Sequence, residues 1–217
     1  MKEPKRVQPL FIEPYNPLAK GNLGVSVMDA LLARPVEALP PATRFAGAGI
    51  YALYYVGDYP AYKNVAEANR KKRWRAPIYI GKAVPKGSRK GGVNPDPMGT
   101  SLYHRLRQHA GSIAQVSNLS LNDFGCRFLV VDDIWIPLGE NLIIEQFKPL
   151  WNRFVEGFGN HTPGKGRFAG QRSAWDTLHP GRPWAEKCKP YAETSQQILA
   201  RVAASIESPV DEDEHES

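Results

Sequence analysis

The sequence predicts an α+β domain in which a small, three-stranded, mostly antiparallel sheet is flanked by helices, with arms at both ends. Residues 47–152 read in the order strand, strand, helix, strand, helix, and strands that follow one another directly can pair without a long crossover. A sheet of only three strands must also bury a face against helices to be stable. The 217 residues, 42% of them hydrophobic, are enough for one such domain and its arms.

The N-terminal arm spans residues 1–46 and is rich in proline. Its one amphipathic stretch, residues 25–32, predicts a short helix. The core, residues 47–152, then opens with residues 49–56, where β-branched and aromatic side chains predict a strand. Residues 77–81 predict a second strand, and the glycines and prolines between this strand and residue 100 exclude a regular element there.

The second half of the core contains two predicted helices and a strand. The first helix begins at Thr100 or Ser101, either of which can cap it, and its apolar stripe consists of Leu102, Leu106 and Ile113. Residues 125–131 predict the third strand. The second helix stops at Pro149. Its apolar stripe consists of Ile143, Ile144 and Phe147.

The C-terminal extension, residues 153–207, is rich in loops and ends in a helix predicted over residues 193–205. The tail, residues 208–217, is predicted to be disordered because it is strongly acidic. The chain carries a net charge of +6, but residues 211–217 contain five acidic side chains. Residues 1–210 therefore hold 28 basic and 17 acidic side chains, a net charge of +11. This positive charge indicates a polyanionic partner. A basic protein without such a partner can have the same composition.

Nothing in the sequence predicts a membrane or secretory segment. No apolar run approaches the ~18 residues of a spanning helix, and the N-terminus lacks the apolar region of a signal peptide. Cys126 and Cys188 are far apart and form no metal-binding pair, so we interpret both as reduced thiols. These observations predict a cytoplasmic protein that makes no use of a membrane.

Six polar side chains of the core stand out as site candidates: Tyr51, Tyr79, Arg105, His109, Glu140 and Asn152. Arg105 and His109 lie one turn apart on the same helix face, which is more often an ordinary solvated face, and tyrosines in strands are more often core residues. Glu140 falls on an apolar stripe, where an unpaired carboxylate is costly. Glu145 lies on the opposite face, three residues before Lys148, as in an ordinary surface ion pair.

Five short segments in this order resemble the signature of the GIY-YIG nuclease superfamily. They are Gly49-Ile50-Tyr51, Tyr79-Ile80-Gly81, the helix segment from Ser101 through Arg105 to His109, the helix segment from Glu140 to Ile144, and Lys148-Pro149-Leu150-Trp151-Asn152. Two triplets alone are a weak signal, whereas five ordered matches are difficult to meet by chance. The resemblance covers about residues 47–152.

The distance between the two triplets departs from the usual pattern of the superfamily. Tyr51 and Tyr79 are 28 residues apart, and the extra segment, residues 57–76, resembles an insertion in a small branch of type II restriction endonucleases. That branch cuts palindromic duplex DNA of the CCGCGG type. Residues 158–168 and 179–188 also resemble the branch.

The resemblance implies roles for the candidate residues. Arg105 would contact the scissile phosphate, Glu140 would bind one Mg²⁺, with Mn²⁺ able to substitute, and Tyr51 would activate the attacking water. Because a tyrosine pKa near 10 is poorly matched to that task, a neighbouring cation such as Lys82 would stabilise the phenolate. Tyr79 and His109 would orient water or phosphate, and Asn152 would fix the glutamate helix against the site.

The implied partner is double-stranded DNA, bound by two basic segments. The insertion supplies Arg70, Lys71, Lys72, Arg73 and Arg75, with Trp74 inside the run, and this mixture indicates phosphate contacts. A loop of the extension supplies Asn160, His161, Lys165 and Arg167 as base-reading candidates or as a mere structural turn. A palindromic target implies a homodimer, and a restriction enzyme implies a cognate DNA methyltransferase in the same system.

Two other functions stay open on the sequence alone. One is a GIY-YIG nuclease of repair or of a mobile element, which usually carries a further DNA-binding or partner domain. The other is a non-catalytic nucleic-acid-binding protein on the same scaffold. The presence of Tyr51, Arg105 and Glu140 favours an enzyme, because a binding module has no use for a carboxylate directed at phosphate.

Overall fold

A computed structural model of the protein describes residues 14–85, 99–162 and 169–207. Four strands and seven helices are present in these ranges: α1 (Lys20–Leu32), β1 (Glu37–Ala38), β2 (Gly49–Tyr55), α2 (Lys63–Asn69), β3 (Pro77–Ala83), α3 (Ser101–Ala114), β4 (Phe124–Val130), α4 (Ile136–Phe147), α5 (Leu150–Arg153), α6 (Ala174–Leu178) and α7 (Ser195–Glu207). Short 3₁₀ turns join several of them. The predicted disordered tail lies outside the described residues.

The sheet is antiparallel throughout, with the strand order β1-β4-β2-β3. The α+β class is therefore confirmed, but the predicted count of three strands is wrong. The fourth strand, β1, has only two residues, and Glu37 and Ala38 pair with Cys126 and Gly125 at one edge. A two-residue strand shows no alternation of polar and apolar side chains, so no sequence pattern could reveal it.

Several boundaries differ from the predicted ones. α1 begins at Lys20, earlier than expected, and β3 continues to Ala83 and so includes Lys82. Thr100 occupies the N-cap position of α3 but makes no side-chain capping bond, so the predicted cap is wrong. α4 ends at Phe147 because Lys148 adopts a left-handed conformation and Pro149 follows it.

The central strand β2 is buried along its whole length. Because side chains alternate along a strand, β2 contributes to two hydrophobic clusters. Tyr51, Leu53 and Tyr55 belong to the cluster on the α3 side. Ile50, Ala52 and Tyr54 belong to the cluster shared with α1 and α4. The sheet is thus the middle layer of three.

The basic insertion and the C-terminal extension pack into the cluster on the α3 side. Tyr62 of the insertion and Trp175 and Ile198 of the extension are buried there together with the apolar stripe of α3. The hydroxyl group of Tyr62 lies 2.6 Å from Nε2 of the buried His179. The side chain of Asn69 connects the two ends of the insertion. It donates to the carbonyl groups of residues 55 and 76 and accepts from the amide of residue 76.

No helix among the described residues is long and apolar enough to cross a membrane. Cys126 and Cys188 are both free and buried. Burial raises the pKa of the Cys126 thiol to about 12, so this thiol is protonated at neutral pH.

Candidate active site

An open cleft of about 1110 Å³ lies at the edge strand β3. The polar residues that line it include Tyr79, Lys82, Arg105, Glu140 and His161. Because successive side chains of a strand point to opposite faces, Tyr79 belongs to the α3 side and Lys82 to the α4 side. The cleft therefore collects groups from both faces of the sheet.

Tyr51 and His109 form a buried pair next to this cleft. The hydroxyl group of Tyr51 lies 2.5 Å from Nε2 of His109, and both side chains are excluded from solvent. Burial, with a further contribution from Arg105, lowers the pKa of His109 well below its usual value. The imidazole is therefore neutral at neutral pH, and in the tautomer protonated at Nδ1 its Nε2 accepts the hydrogen bond from the Tyr51 hydroxyl group.

The phenol of Tyr51 is also neutral at rest. Burial raises its pKa well above 10, and nearby Tyr79 raises it further, whereas Arg105 lowers it. The rings of Tyr51 and Tyr79 are 6.2 Å apart. Gly81, the last residue of the second triplet, makes room for the Tyr51 hydroxyl group, because any Cβ at this position would collide with it.

Lys82 does not take the predicted role beside Tyr51. Its Nζ lies 2.6 Å from Oε2 of Glu140, on the other side of β3. The cation that favours the Tyr51 phenolate is Arg105. The sequence predicted Lys82 as a neighbouring cation for the phenolate, whereas the alternation of side chains along β3 directs Lys82 toward α4.

Two acceptors from the extension hold the guanidinium group of Arg105. Its Nη2 donates to the carbonyl oxygen of Gly159 at 3.1 Å, and its Nη1 makes a hydrogen bond with Nε2 of His161. These contacts use two of the five N–H groups of the guanidinium. Arg105 also interacts with the hydroxyl groups of Tyr51 and Tyr79, and its guanidinium group lines the cleft, where it can meet an anion.

Asn152 holds α5 to the edge of the sheet. Its Oδ1 accepts from the amide of Ile80, and its Nδ2 donates to the carbonyl oxygen of Ile80, both at 2.8 Å. Because β3 is an edge strand, these backbone groups would otherwise have no partner in the sheet. Asn152 thus acts on β3 directly, whereas the sequence analysis expected it to act on the glutamate helix α4.

The basic residues of the run from Arg70 to Arg75 are all exposed, but two of them have partners within the insertion. Arg70 pairs with Asp58, and Nη2 of Arg73 donates to the carbonyl oxygen of Glu67 at 2.5 Å. Lys71 and Lys72 both have a positive φ of 58°. Arg75 is exposed as well.

Trp74 differs from its predicted role as part of a phosphate-binding surface. Its ring is half-buried and meets Tyr54 edge-on, with ring centres 5.9 Å apart. Its carbonyl oxygen accepts from Nη1 of Arg127. Trp74 therefore packs the insertion against the sheet.

The structure brings His161 into the cleft, next to Arg105. The side chain of Asn160 is exposed. Lys165 and Arg167 lie outside the described residues.

Sequence reasoning gave no role to Arg182 and Asp176, a buried ion pair behind this loop. A buried arginine in a loop-rich segment carries no periodic signal that could have marked it.

Tyr79 of the second triplet, Arg105 of helix α3 and Glu140 of helix α4 line one cleft, and Tyr51 of the first triplet is buried next to it. This arrangement defines a GIY-YIG nuclease domain, a hydrolase acting on DNA. Residues 43–206 match the family model described as the Eco29kI GIY-YIG domain. The chain therefore belongs to this family of GIY-YIG restriction endonucleases. No curated protein matches the chain.

Proposed function

We propose that the protein is a type II restriction endonuclease that hydrolyses double-stranded DNA at a short, palindromic, G·C-rich site with Mg²⁺. The observation that carries the proposal is the Tyr51–His109 pair, buried beside Arg105 and next to the cleft that Arg105 and Glu140 line. Phosphodiester hydrolysis needs an activated water and stabilisation of charge on the phosphate oxygens, and this set of residues can supply both.

Tyr51 and His109 would move the proton of the attacking water. The phenol oxygen accepts the proton from water while its own proton passes to Nε2 of His109, 2.5 Å away. Tyr51 then stays neutral throughout, and the cost of the step is to charge His109, whose pKa is lowered by burial and by Arg105. The negative charge that develops on the phosphate would offset this cost. Arg105 would bind the scissile phosphate, because it lines the cleft and a guanidinium group suits contact with phosphate oxygens.

The residues of the cleft fit a single Mg²⁺ bound together with the substrate. Among the described residues there is no group of three or more metal-binding side chains. Mg²⁺ does not need such a group, since it is commonly held by one or two carboxylates, substrate phosphate and water. Glu140 would supply the carboxylate, and Mn²⁺ could take the same ligands. The bound metal would neutralise charge on the leaving and non-bridging oxygens.

Lys82→Met should tighten metal binding, because a cation at Glu140 has to displace the Lys82 ammonium group 2.6 Å away. Lys82 is 38% exposed, and a partly exposed ion pair of this kind predicts a gain of about 2- to 5-fold in affinity. Titration with Mn²⁺ in a calorimeter measures it, with the protein bound to a non-hydrolysable duplex that contains the cut site. Lys63→Met, which removes an exposed lysine of the insertion, is the control. Unchanged or weaker binding in Lys82→Met would show that Lys82 does not compete with the metal.

Lys71 and Lys72 are the exposed cations of the insertion that we expect to contact phosphate. Replacing both with glutamine should weaken binding to all duplex sequences alike. The slope of log affinity against log salt concentration should fall by about the contribution of two phosphate contacts. Fluorescence anisotropy at several salt concentrations measures both quantities. Lys63→Gln is the matched control, since Lys63 already pairs with Glu67. A changed sequence preference with an unchanged salt slope would assign the two lysines to base recognition.

A palindromic site would be cut by a homodimer in which each protomer hydrolyses one strand. A cytoplasmic enzyme of this kind requires a cognate DNA methyltransferase to protect the host.

Incubation with an unmethylated plasmid and Mg²⁺ tests the proposal, and discrete fragments would support it. Diffuse nicking would favour a nuclease of repair or of a mobile element. A gel shift without cleavage would favour a DNA-binding protein that is not an enzyme.

A further inference from the structure

The loop that reaches Arg105 is held from behind by the buried pair of Arg182 and Asp176. Arg182 is only 1% exposed. Its Nε and Nη2 donate to the two carboxylate oxygens of Asp176, at 2.5 and 2.6 Å. Its guanidinium group also lies 4.6 Å from the ring centre of Trp175 and 4.7 Å from that of Trp184. This geometry fixes the guanidinium group in one orientation.

The other donors of Arg182 bind the backbone of the loop. They reach the carbonyl oxygens of Gly157 at 3.0 Å, Phe158 at 3.1 Å and Asn160 at 3.2 Å. The remaining carbonyl group of this run, that of Gly159, accepts from Arg105 at 3.1 Å. Two arginines on opposite sides therefore bind the carbonyl groups of four consecutive residues.

The loop approaches the cleft as closely as its backbone allows. A Cβ on Gly159 would lie 2.7 Å from the Tyr79 hydroxyl oxygen and 3.4 Å from Nη2 of Arg105. Two residues further on, the imidazole of His161 meets the other terminal nitrogen of Arg105. The carbonyl group of Gly159 and the imidazole of His161 thus bind Arg105 from the extension, whereas Tyr51 and Tyr79 bind it from the segment that carries the GIY-YIG motifs.

We propose that His161 and the carbonyl group of Gly159 orient the guanidinium group of Arg105 for the scissile phosphate, and that Arg182 and Asp176 hold them there. His161 is then a positioning residue of the nuclease, whereas the sequence placed it among the base-reading residues. The inference rests on the proposed function, because it assigns Arg105 to the scissile phosphate. It makes the extension a part of the active site.

Three variants of the loop test the inference. His161→Ala removes the acceptor, His161→Gln restores one, and Thr162→Ala changes the exposed neighbour as a control. The readouts are the single-turnover rate on a plasmid that the unmodified protein cuts, at saturating protein, and the affinity for a duplex containing the cut site, with Ca²⁺ in place of Mg²⁺. We expect His161→Ala to lower the rate by about 10²-fold, as expected for a misplaced catalytic group, with affinity and melting temperature unchanged. His161→Gln should cleave at least about tenfold faster than His161→Ala.

A full cleavage rate in His161→Ala would overturn the inference. Weaker binding to the cut site with an unchanged rate at saturation would also overturn it and would assign His161 to base reading. Absence of cleavage by the unmodified protein would contradict the proposed function together with this inference. Arg182→Lys extends the test, because lysine keeps the charge but cannot bind Asp176 and three carbonyl groups at once. It should lower the single-turnover rate and the melting temperature together, and if it fails to fold, the His161 variants decide.

Discussion

Glu140→Ala is expected to lower the rate of Mg²⁺-dependent cleavage by at least about 10²-fold, the least expected for loss of a metal ligand. Glu140 is the carboxylate among the residues that line the cleft, and its side chain is only 15% exposed. DNA binding should be unchanged or tighter, because the substitution removes a negative charge and frees Lys82 to meet phosphate. Plasmid cleavage with Mg²⁺ and a gel shift with Ca²⁺ measure the two effects.

Glu145→Ala is the matched control for this prediction. Glu145 lies on the same helix, α4, but its side chain is 66% exposed and pairs with Arg153 at 2.5 Å. This partner corrects the sequence analysis, which paired Glu145 with Lys148; the left-handed turn at Lys148 ends the helix and leads into α5, which carries Arg153. Glu145→Ala should cut DNA at the normal rate. If Glu140→Ala keeps a tenth of that rate or more, Glu140 is not the metal ligand.

Tyr51→Phe is expected to lower the cleavage rate by about 10³-fold, within the range for loss of a group that transfers a proton in the rate-limiting step. The substitution removes only the hydroxyl group that bonds to His109, so the shape of the core is preserved. It also leaves Nε2 of the buried His109 without its partner, which should cost about 1–3 kcal/mol of stability. Single-turnover kinetics and thermal unfolding separate the two effects.

Tyr54→Phe provides the comparison, since Tyr54 belongs to the same buried strand but faces the other side of the sheet. Its hydroxyl oxygen accepts from Nη1 of Arg127, so this variant also loses one hydrogen bond and should be destabilised by a similar amount. Its cleavage rate at a temperature where both variants are folded should stay normal. Equal rates in the two variants would show that the loss in Tyr51→Phe comes from stability and that Tyr51 transfers no proton.

The elements that the sequence predicted well are those with a strong local pattern. The strands β2 and β3 are dense in β-branched and aromatic residues, and the stripe of Leu102, Leu106 and Ile113 on α3 is buried as expected. Groups of the second triplet and of the two helices line one cleft, and Tyr51 of the first triplet is buried next to it, because the order of these elements fixes which strands are neighbours.

What the sequence could not predict depends on contacts between distant segments. The partner of Lys82 follows from the extent of β3, whose last residues show no strand pattern of their own. Trp74 packs on Tyr54, so an aromatic residue in a basic run belongs here to the fold. Arg182 is buried by the folding of a loop-rich segment around it. The burial of such a residue depends on tertiary packing, and no periodic pattern in the sequence indicates it.

The shared hydrophobic cluster on the α3 side has implications for how enzymes of this family can diversify. The ring of Trp151 lies 5.9 Å from Tyr62 of the insertion and 5.6 Å from Trp175 of the extension, both edge-on. A recognition segment grafted from a relative would have to reproduce these aromatic contacts as well as its DNA contacts. If the insertion and the extension read the target sequence, new targets would come from substitutions at exposed loop positions, because exchange of whole segments would disrupt the packing around Trp151.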